Sequence, residues 1–225
     1  LKEEINDEKI NPLVDIIMSS AVHGSDMVKQ VLLFVRGVEG ETIPFRIEHL
    51  VKEMVALLRE TFPKNIRIRN SFAANLYSVI GDATRLHQVL MNLCVNARDA
   101  MPSGGELAIS MNNFVADEPF ARTHREAKAG LYVRVDVSDN GTGMPPDIQK
   151  RIFDPFFTTK APGKGTGLGL ATVQTIVHAH GGFIEVESQP GSGTKFHVFL
   201  PAEEEIPSSV AAAPADIPRG HNELI

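Results

Sequence analysis

Apolar residues at helical spacing dominate the start of the chain: Leu13, Ile16, Ile17, Met27, Val28, Val31, Leu32 and Val35 predict an amphipathic helix. Gly24 weakens it by about 1 kcal/mol relative to Ala, and Gly37 with Gly40 stops it. An apolar stripe of this kind needs cover. A second helix in a dimer bundle or the chain's own globular part would each provide it, and the pattern leaves both open. A second helix is predicted over 46–60, with Ile47, Leu50, Val51, Met54, Val55, Leu57 and Leu58 on one face and Pro63 beyond its end. Alternation of Ile66, Ile68 and Phe72 with Arg67, Arg69 and Ser71 predicts a half-exposed strand over 65–72.

Asp82 is placed to cap a third helix running to about Ala100, with Leu86, Val89, Leu90, Leu93, Ala97 and Met101 on its core face. Strands are expected over 106–114 and 131–138, joined by a polar excursion around 116–129. Glycine and proline then crowd the stretch from Gly141 to Gly169, which suits a loop rather than a regular element. A helix to about His180 and a hairpin of strands 183–188 and 194–200 across Pro190-Gly191-Ser192-Gly193 close the pattern. From Ala202 the chain is rich in Ala, Pro, Ser and Glu and is expected to be a linker. Strands and helices that do not alternate strictly argue for an α+β, two-layer sandwich: a mixed sheet with helices on one face, preceded by one long amphipathic helix.

With 225 residues, 43% of them apolar, the chain is long enough to bury one main core. A net charge of -6 supplies no basic field for nucleic acid or anionic membranes, so any bound phosphate must be held locally. The single cysteine, Cys94, excludes an internal disulfide framework, and a cytoplasmic setting is expected. Leu1 in the first position and the apolar end at Leu224-Ile225 suggest a piece of a longer chain.

Four sites stand out, among them the stretch from Phe153 to Lys160, and three of them suggest specific chemistry. Asn92 and Asn96 stand four apart on one helix face, where a neutral amide oxygen suits a Mg²⁺ ion that leans on substrate phosphates; each could equally tie down a nearby loop. Asp139 ends a strand just before Gly141 and Gly143, so its carboxylate could accept from an exocyclic amine while the glycines admit a flat ring. Asp-Asn-Gly is also an ordinary turn. Glycines 163, 165, 167 and 169 run straight into a helix N-terminus, with Lys160 and Lys164 nearby, which is a phosphate-binding arrangement. The spacing fits neither a P-loop nor a dinucleotide fingerprint. Together the three describe Mg²⁺-ATP.

The motifs also resemble a known family. "HQVLMNLCVNARDAM" (His87 to Met101), "DNGTGM" (Asp139 to Met144), "FDPFFTTK" (Phe153 to Lys160) and "GTGLGL" (Gly165 to Leu170) are similar, in order, to the N, G1, F and G2 boxes of sensor histidine kinases. The resemblance covers about residues 43 to 201 and includes "GGFIEVESQPGSGTKFHVFLP" (Gly181 to Pro201). It implies the left-handed α/β sandwich shared with gyrase-type ATPases, mismatch-repair clamps and heat-shock chaperones. By position it makes Asn96 the Mg²⁺ ligand and Asp139 the adenine-binding aspartate, with Gly141 and Gly143 beneath the base. Lys160, Gly165, Thr166, Gly167, Leu168, Gly169 and Thr194 are implied nucleotide contacts.

Hydrolysing relatives carry a glutamate general base where this chain has Asn92, and an amide cannot take a proton, so transfer to an external acceptor fits better than hydrolysis. Asn92 and Asn96 are therefore the expected catalytic pair. The rival readings are an ATP-hydrolysing clamp and a regulatory module without transfer. No residue here matches the family's phosphoacceptor histidine; His23 precedes Gly24-Ser25, and "GSDMVKQVLLFVRG" (Gly24 to Gly37) resembles the second helix of the dimerisation domain. The expected organisation is thus residues 1–40 from that helical domain, 41–202 as the catalytic domain and 203–225 as a linker. "PRGHNELI" (Pro218 to Ile225) looks like the approach to a receiver domain, as in a hybrid kinase. The implied partners are ATP, the histidine-bearing dimerisation domain of the same protein, a receiver domain or response regulator, and a second subunit in a homodimer, with no nucleic acid.

Overall fold

The computed structural model describes residues 42–124, 126–161 and 165–204, together with Val14. The helix expected over 13–36, His23, Gly163, Lys164 and the linker beyond Glu204 lie outside the described residues.

The chain runs β1 (Ile43–Phe45), α1 (Ile47–Thr61), β2 (Ile66–Phe72), β3 (Ser78–Gly81), α2 (Ala83–Asp99), β4 (Gly105–Ala116) and α3 (Glu118–Thr123). It continues with β5 (Gly130–Asp139), α4 (Pro146–Gln149), α5 (Gly169–Ala179), β6 (Phe183–Gln189) and β7 (Gly193–Glu203). The strands form a seven-stranded sheet in the order β1-β3-β7-β5-β4-β2, with β6 also paired to β7. The β2–β4 pair is parallel and the others antiparallel, so the sheet is mixed.

The amphipathic patterns account for the layers. Val51, Met54 and Leu58 of α1, Leu86, Leu90 and Leu93 of α2, and Val173, Ile176 and Val177 of α5 are buried together. Their partners are alternate sheet residues: Leu107, Ile109 and Met111 of β4, Val133, Val135 and Val137 of β5, Val198 and Leu200 of β7. Asp82 caps α2 as expected, its Oδ1 accepting from Thr84 N at 2.9 Å and Arg85 N at 3.1 Å. At the opposite end of α1, Phe62 takes an extended conformation before Pro63 and the helix stops.

The structure adds short elements that the periodicity did not predict. β1 contains Pro44, which is tolerated because β1 is the edge strand, and the four-residue β3 pairs with both β1 and β7. Inside the 116–129 excursion, Asp117 accepts from Phe120 N at 2.8 Å and starts α3. That short helix lies over the far face of the sheet, where Phe120 joins Phe114, Tyr132, Phe183 and Phe199 in a separate aromatic cluster. Helical cover is therefore not confined to one face, although the three long helices share one. β7 runs on to Glu203, because Ala202 and Glu203 pair with Val79 and Ser78. Among the described residues no helix is long and apolar enough to cross a membrane.

Candidate functional site

A cavity of about 540 Å³ opens between α2, the end of β5 and the segment leading into α5. Of the residues expected to form the site, Asn92, Asn96, Asp139, Gly143, Lys160, Gly165, Thr166, Gly167, Gly169 and Thr194 line it. Gly141 and Leu168 stay off its wall. Leu168 is buried in the core ahead of α5, and Gly141 lies under the Ala100 carbonyl.

Strand alternation puts Asp139 on the same face as Val135 and Val137, so at the end of β5 its side chain turns toward the helix layer and the cavity. It is 8% exposed. Gly141 N–H donates to its Oδ1 at 2.8 Å, and the backbone N–H of Thr194 reaches it as well. Among the described residues no cation pairs with it. Burial accordingly pushes its pKa up, against those two backbone hydrogen bonds. The turn beneath it leaves no room for side chains. A Cβ on Gly141 would lie 2.4 Å from the Ala100 carbonyl oxygen, and Gly143, at φ +63°, would place one 2.0 Å from Gln189 O. The hairpin β6–β7 closes the turn from behind, where Gly191 N–H donates to Thr142 O at 2.7 Å. Thr194 presents its hydroxyl to Ser188 Oγ at 2.9 Å, so its contribution to the cavity is positional.

Asn92 and Asn96 occupy successive turns of α2, as their spacing requires. Asn92 Nδ2 donates to Gly169 O at 3.3 Å, which joins α2 to the first turn of α5. Asn96 Oδ1 lies 3.4 Å from Lys160 Nζ, and that ammonium sits 2.6 Å from Asp99 Oδ2. The segment before α5 is folded back on itself: Phe156, at φ +67°, donates its N–H to Gly167 O at 2.9 Å, and Gly167 is at φ +67°. A Cβ on Gly167 would meet the Phe156 backbone at 2.3 Å. Gly169 has open space around its Cα, at the first residue of α5.

Sequence reasoning passed over Asp99 and the apolar wall of Met144, Ile148 and Ile152. Asp99 follows Asn92 and Asn96 at the helical spacing i, i+4, i+7, which is the signal that would have found it. Burial tends to raise its pKa, but hydrogen bonds from Lys160 and Arg98 outweigh that and hold it below the usual range. Ile148 comes from α4, pinned to the hairpin by Gln149, whose Nε2 donates to Met144 O and Ser188 O. Cys94 is fully buried and its thiol is pushed up to about 12, which removes it as a nucleophile.

The donor set bears on a metal. Among the described residues there is no group of three or more His, Cys, Asp or Glu that could hold one. The cavity is lined by the amides of Asn92 and Asn96; Asn92 is tied to Gly169, and Asn96 Oδ1 has the Lys160 ammonium beside it. That suits a Mg²⁺ ion bound mainly through substrate phosphates and water, with a single protein ligand.

Comparison with known proteins agrees with this geometry. A family model described as histidine kinase-, DNA gyrase B-, and HSP90-like ATPase matches residues 81–204. The sensor kinase CckA of Brucella abortus (strain 2308) is 38% identical over 185 residues, which is 82% of this chain and 20% of that protein. The catalytic domain of the histidine kinase ThkA, in a nucleotide-free form, superposes with a TM-score of 0.60 at 31% identity, over 73% of this chain and 98% of that one. Full-length ShkA in complex with AMPPNP gives a TM-score of 0.69 at 27% identity, over 88% of this chain and 41% of its own.

Proposed function

The chain belongs to the histidine kinase-, DNA gyrase B-, and HSP90-like ATPase family, and from that premise we propose that it is the Mg²⁺-ATP-binding catalytic domain of a two-component sensor histidine kinase. The observation that carries the reading is Asp139: a buried carboxylate with no partner cation among the described residues, facing a cavity beside a turn whose positions 141 and 143 admit only glycine. An acceptor so placed costs stability unless a donor arrives from outside. The exocyclic amine of adenine is that donor, and Gly141 and Gly143 form the tight turn that holds the Asp139 carboxylate at the cavity. Gly165, Thr166, Gly167 and Gly169 face the triphosphate, aided by the positive end of α5 and by Lys160 once it leaves Asp99.

Mg²⁺ held at Asn96 would neutralise charge on the β- and γ-phosphates. Asn92 holds Gly169 in place and, as an amide, offers no base to activate water. The γ-phosphoryl group is therefore reserved for a positioned histidine on a dimerisation domain, and from there for a receiver domain or response regulator. A homodimer in the full protein would bring two such chains together.

Incubation with γ-labelled ATP tests the reading. The chain by itself should bind ATP and remain unlabelled, whereas a supplied dimerisation domain from the same parent should gain an acid-labile phosphate. Rapid release of inorganic phosphate without an acceptor would identify a hydrolase instead. An acid-labile phosphate on His23 would refute the assignment of the acceptor to another domain.

A further inference from the structure

We infer that Asp99 and Lys160 form a cation-exchange latch, in which the lysine ammonium holds the place of the divalent cation until nucleotide and metal arrive together. The inference rests on the nucleotide-site reading above. Asp99 is the last residue of α2, where the helix already presents its negative end, so a carboxylate there concentrates negative charge at the mouth of the cavity. Two cations answer it. Arg98 takes Oδ1 through Nε at 3.0 Å and Nη2 at 2.8 Å, and Lys160 takes Oδ2 at 2.6 Å.

The two arms differ in reach. Arg98 is the neighbouring residue, whereas Lys160 comes 61 positions later in the chain and belongs to the segment that borders the phosphate side. Its Nζ is also the atom near Asn96 Oδ1, at 3.4 Å. One monovalent charge thus lies between the Asn96 amide oxygen and a carboxylate one turn along. A Mg²⁺ ion beside Asn96 cannot share that space with the ammonium, because like charges at such separation repel. With a metal at Asn96, Lys160 would have to leave Asp99. The freed ammonium is then available to the phosphates, and the Asp99 carboxylate remains to attract the metal through its water shell.

Opposite effects of the two partners on the metal requirement follow. Free Mg²⁺ is titrated at fixed concentration of a fluorescent, non-hydrolysable ATP analogue, and the midpoint of nucleotide binding is read. Asp99→Asn should raise the midpoint about two- to five-fold, the scale of a partly exposed charge pair; Lys160→Gln should lower the Mg²⁺ midpoint by a similar factor while weakening nucleotide affinity at saturating Mg²⁺, where the lysine would reach the phosphates. Asp99→Glu, which keeps the charge, should stay near the parent value. A shift of both variants in the same direction, or of neither, overturns the latch.

A second reading needs no nucleotide. In the free chain, trypsin should cut after Lys160 faster in Asp99→Asn than in the parent, and equal rates would also overturn it. Failure of the parent chain to bind Mg²⁺-nucleotide would instead refute the site reading, with the proteolysis result still standing on its own.

Discussion

Asp136 and Asp139 lie three residues apart on β5, both nearly buried, and they titrate in opposite directions. Burial tends to raise both. On the far face of the sheet, Asp136 Oδ1 lies 2.7 Å from His197 Nδ1 and 3.1 Å from Arg134 Nε, with Lys195 Nζ 3.6 Å from Oδ2, and these groups outweigh desolvation and pull its pKa down. Asp139, on the near face, has two backbone N–H groups and, among the described residues, no cation, and its pKa stays raised. The first carboxylate is satisfied within the fold. The second is left for a ligand. Burial alone does not distinguish a structural acid from a binding one; the presence or absence of a counter-cation does.

The largest effect should come from Asp139→Asn. An amide presents an NH₂ group where an acceptor is needed, so nucleotide affinity should fall on the order of 100-fold, about 3 kcal/mol, in a calorimetric titration. Thermal stability should hold or rise, since a desolvated charge is removed. Lost stability with retained affinity would erase the contrast between the two acids. Gly143→Ala comes next. It combines a strained φ with a backbone clash at Gln189 and should cost about 2 kcal/mol in urea denaturation, against about 1 kcal/mol for Gly191→Ala, which has the same kind of φ but open space.

Asp136→Asn should do the reverse of Asp139→Asn. It leaves His197, Arg134 and Lys195 without their shared carboxylate and should lower stability by about 1–2 kcal/mol, while nucleotide affinity changes by less than about two-fold. The smallest effect is in pH. Asp136 contributes stability that is present above its ordinary value of 3.8 and is lost as pH falls through its lower folded pKa. Asp139 has the opposite sign: the folded chain gains from its protonation as pH falls from its raised pKa toward 3.8, and nucleotide affinity declines across that window because a protonated carboxyl no longer accepts on both oxygens. Urea titrations of the two asparagine variants across this range should each lose one of the two slopes.

Sequence reading reached this contrast halfway. The long helices α1, α2 and α5 and the strands β2, β4 and β5 follow from periodicity, because each buries one face over several turns or residues. β1, β3, α3 and α4 are too short for periodicity and exist through strand pairing, an Asp117 cap and contacts of Gln149. Asp139 stood out through the glycines beside it. Its difference from Asp136 was not legible, since His197 and Lys195 arrive from β7, about sixty residues on. Asp99 was legible through its helical spacing from Asn92 and Asn96, but its pairing with Lys160 arises only in the folded chain.

A crystal structure of the chain with Mg²⁺ and AMPPNP tests the central claim most directly. The account predicts the adenine amine within hydrogen-bond distance of the Asp139 carboxylate, Mg²⁺ beside Asn96, and Lys160 withdrawn from Asp99. A base seated elsewhere, with the Asp139 carboxylate unpaired, would contradict it.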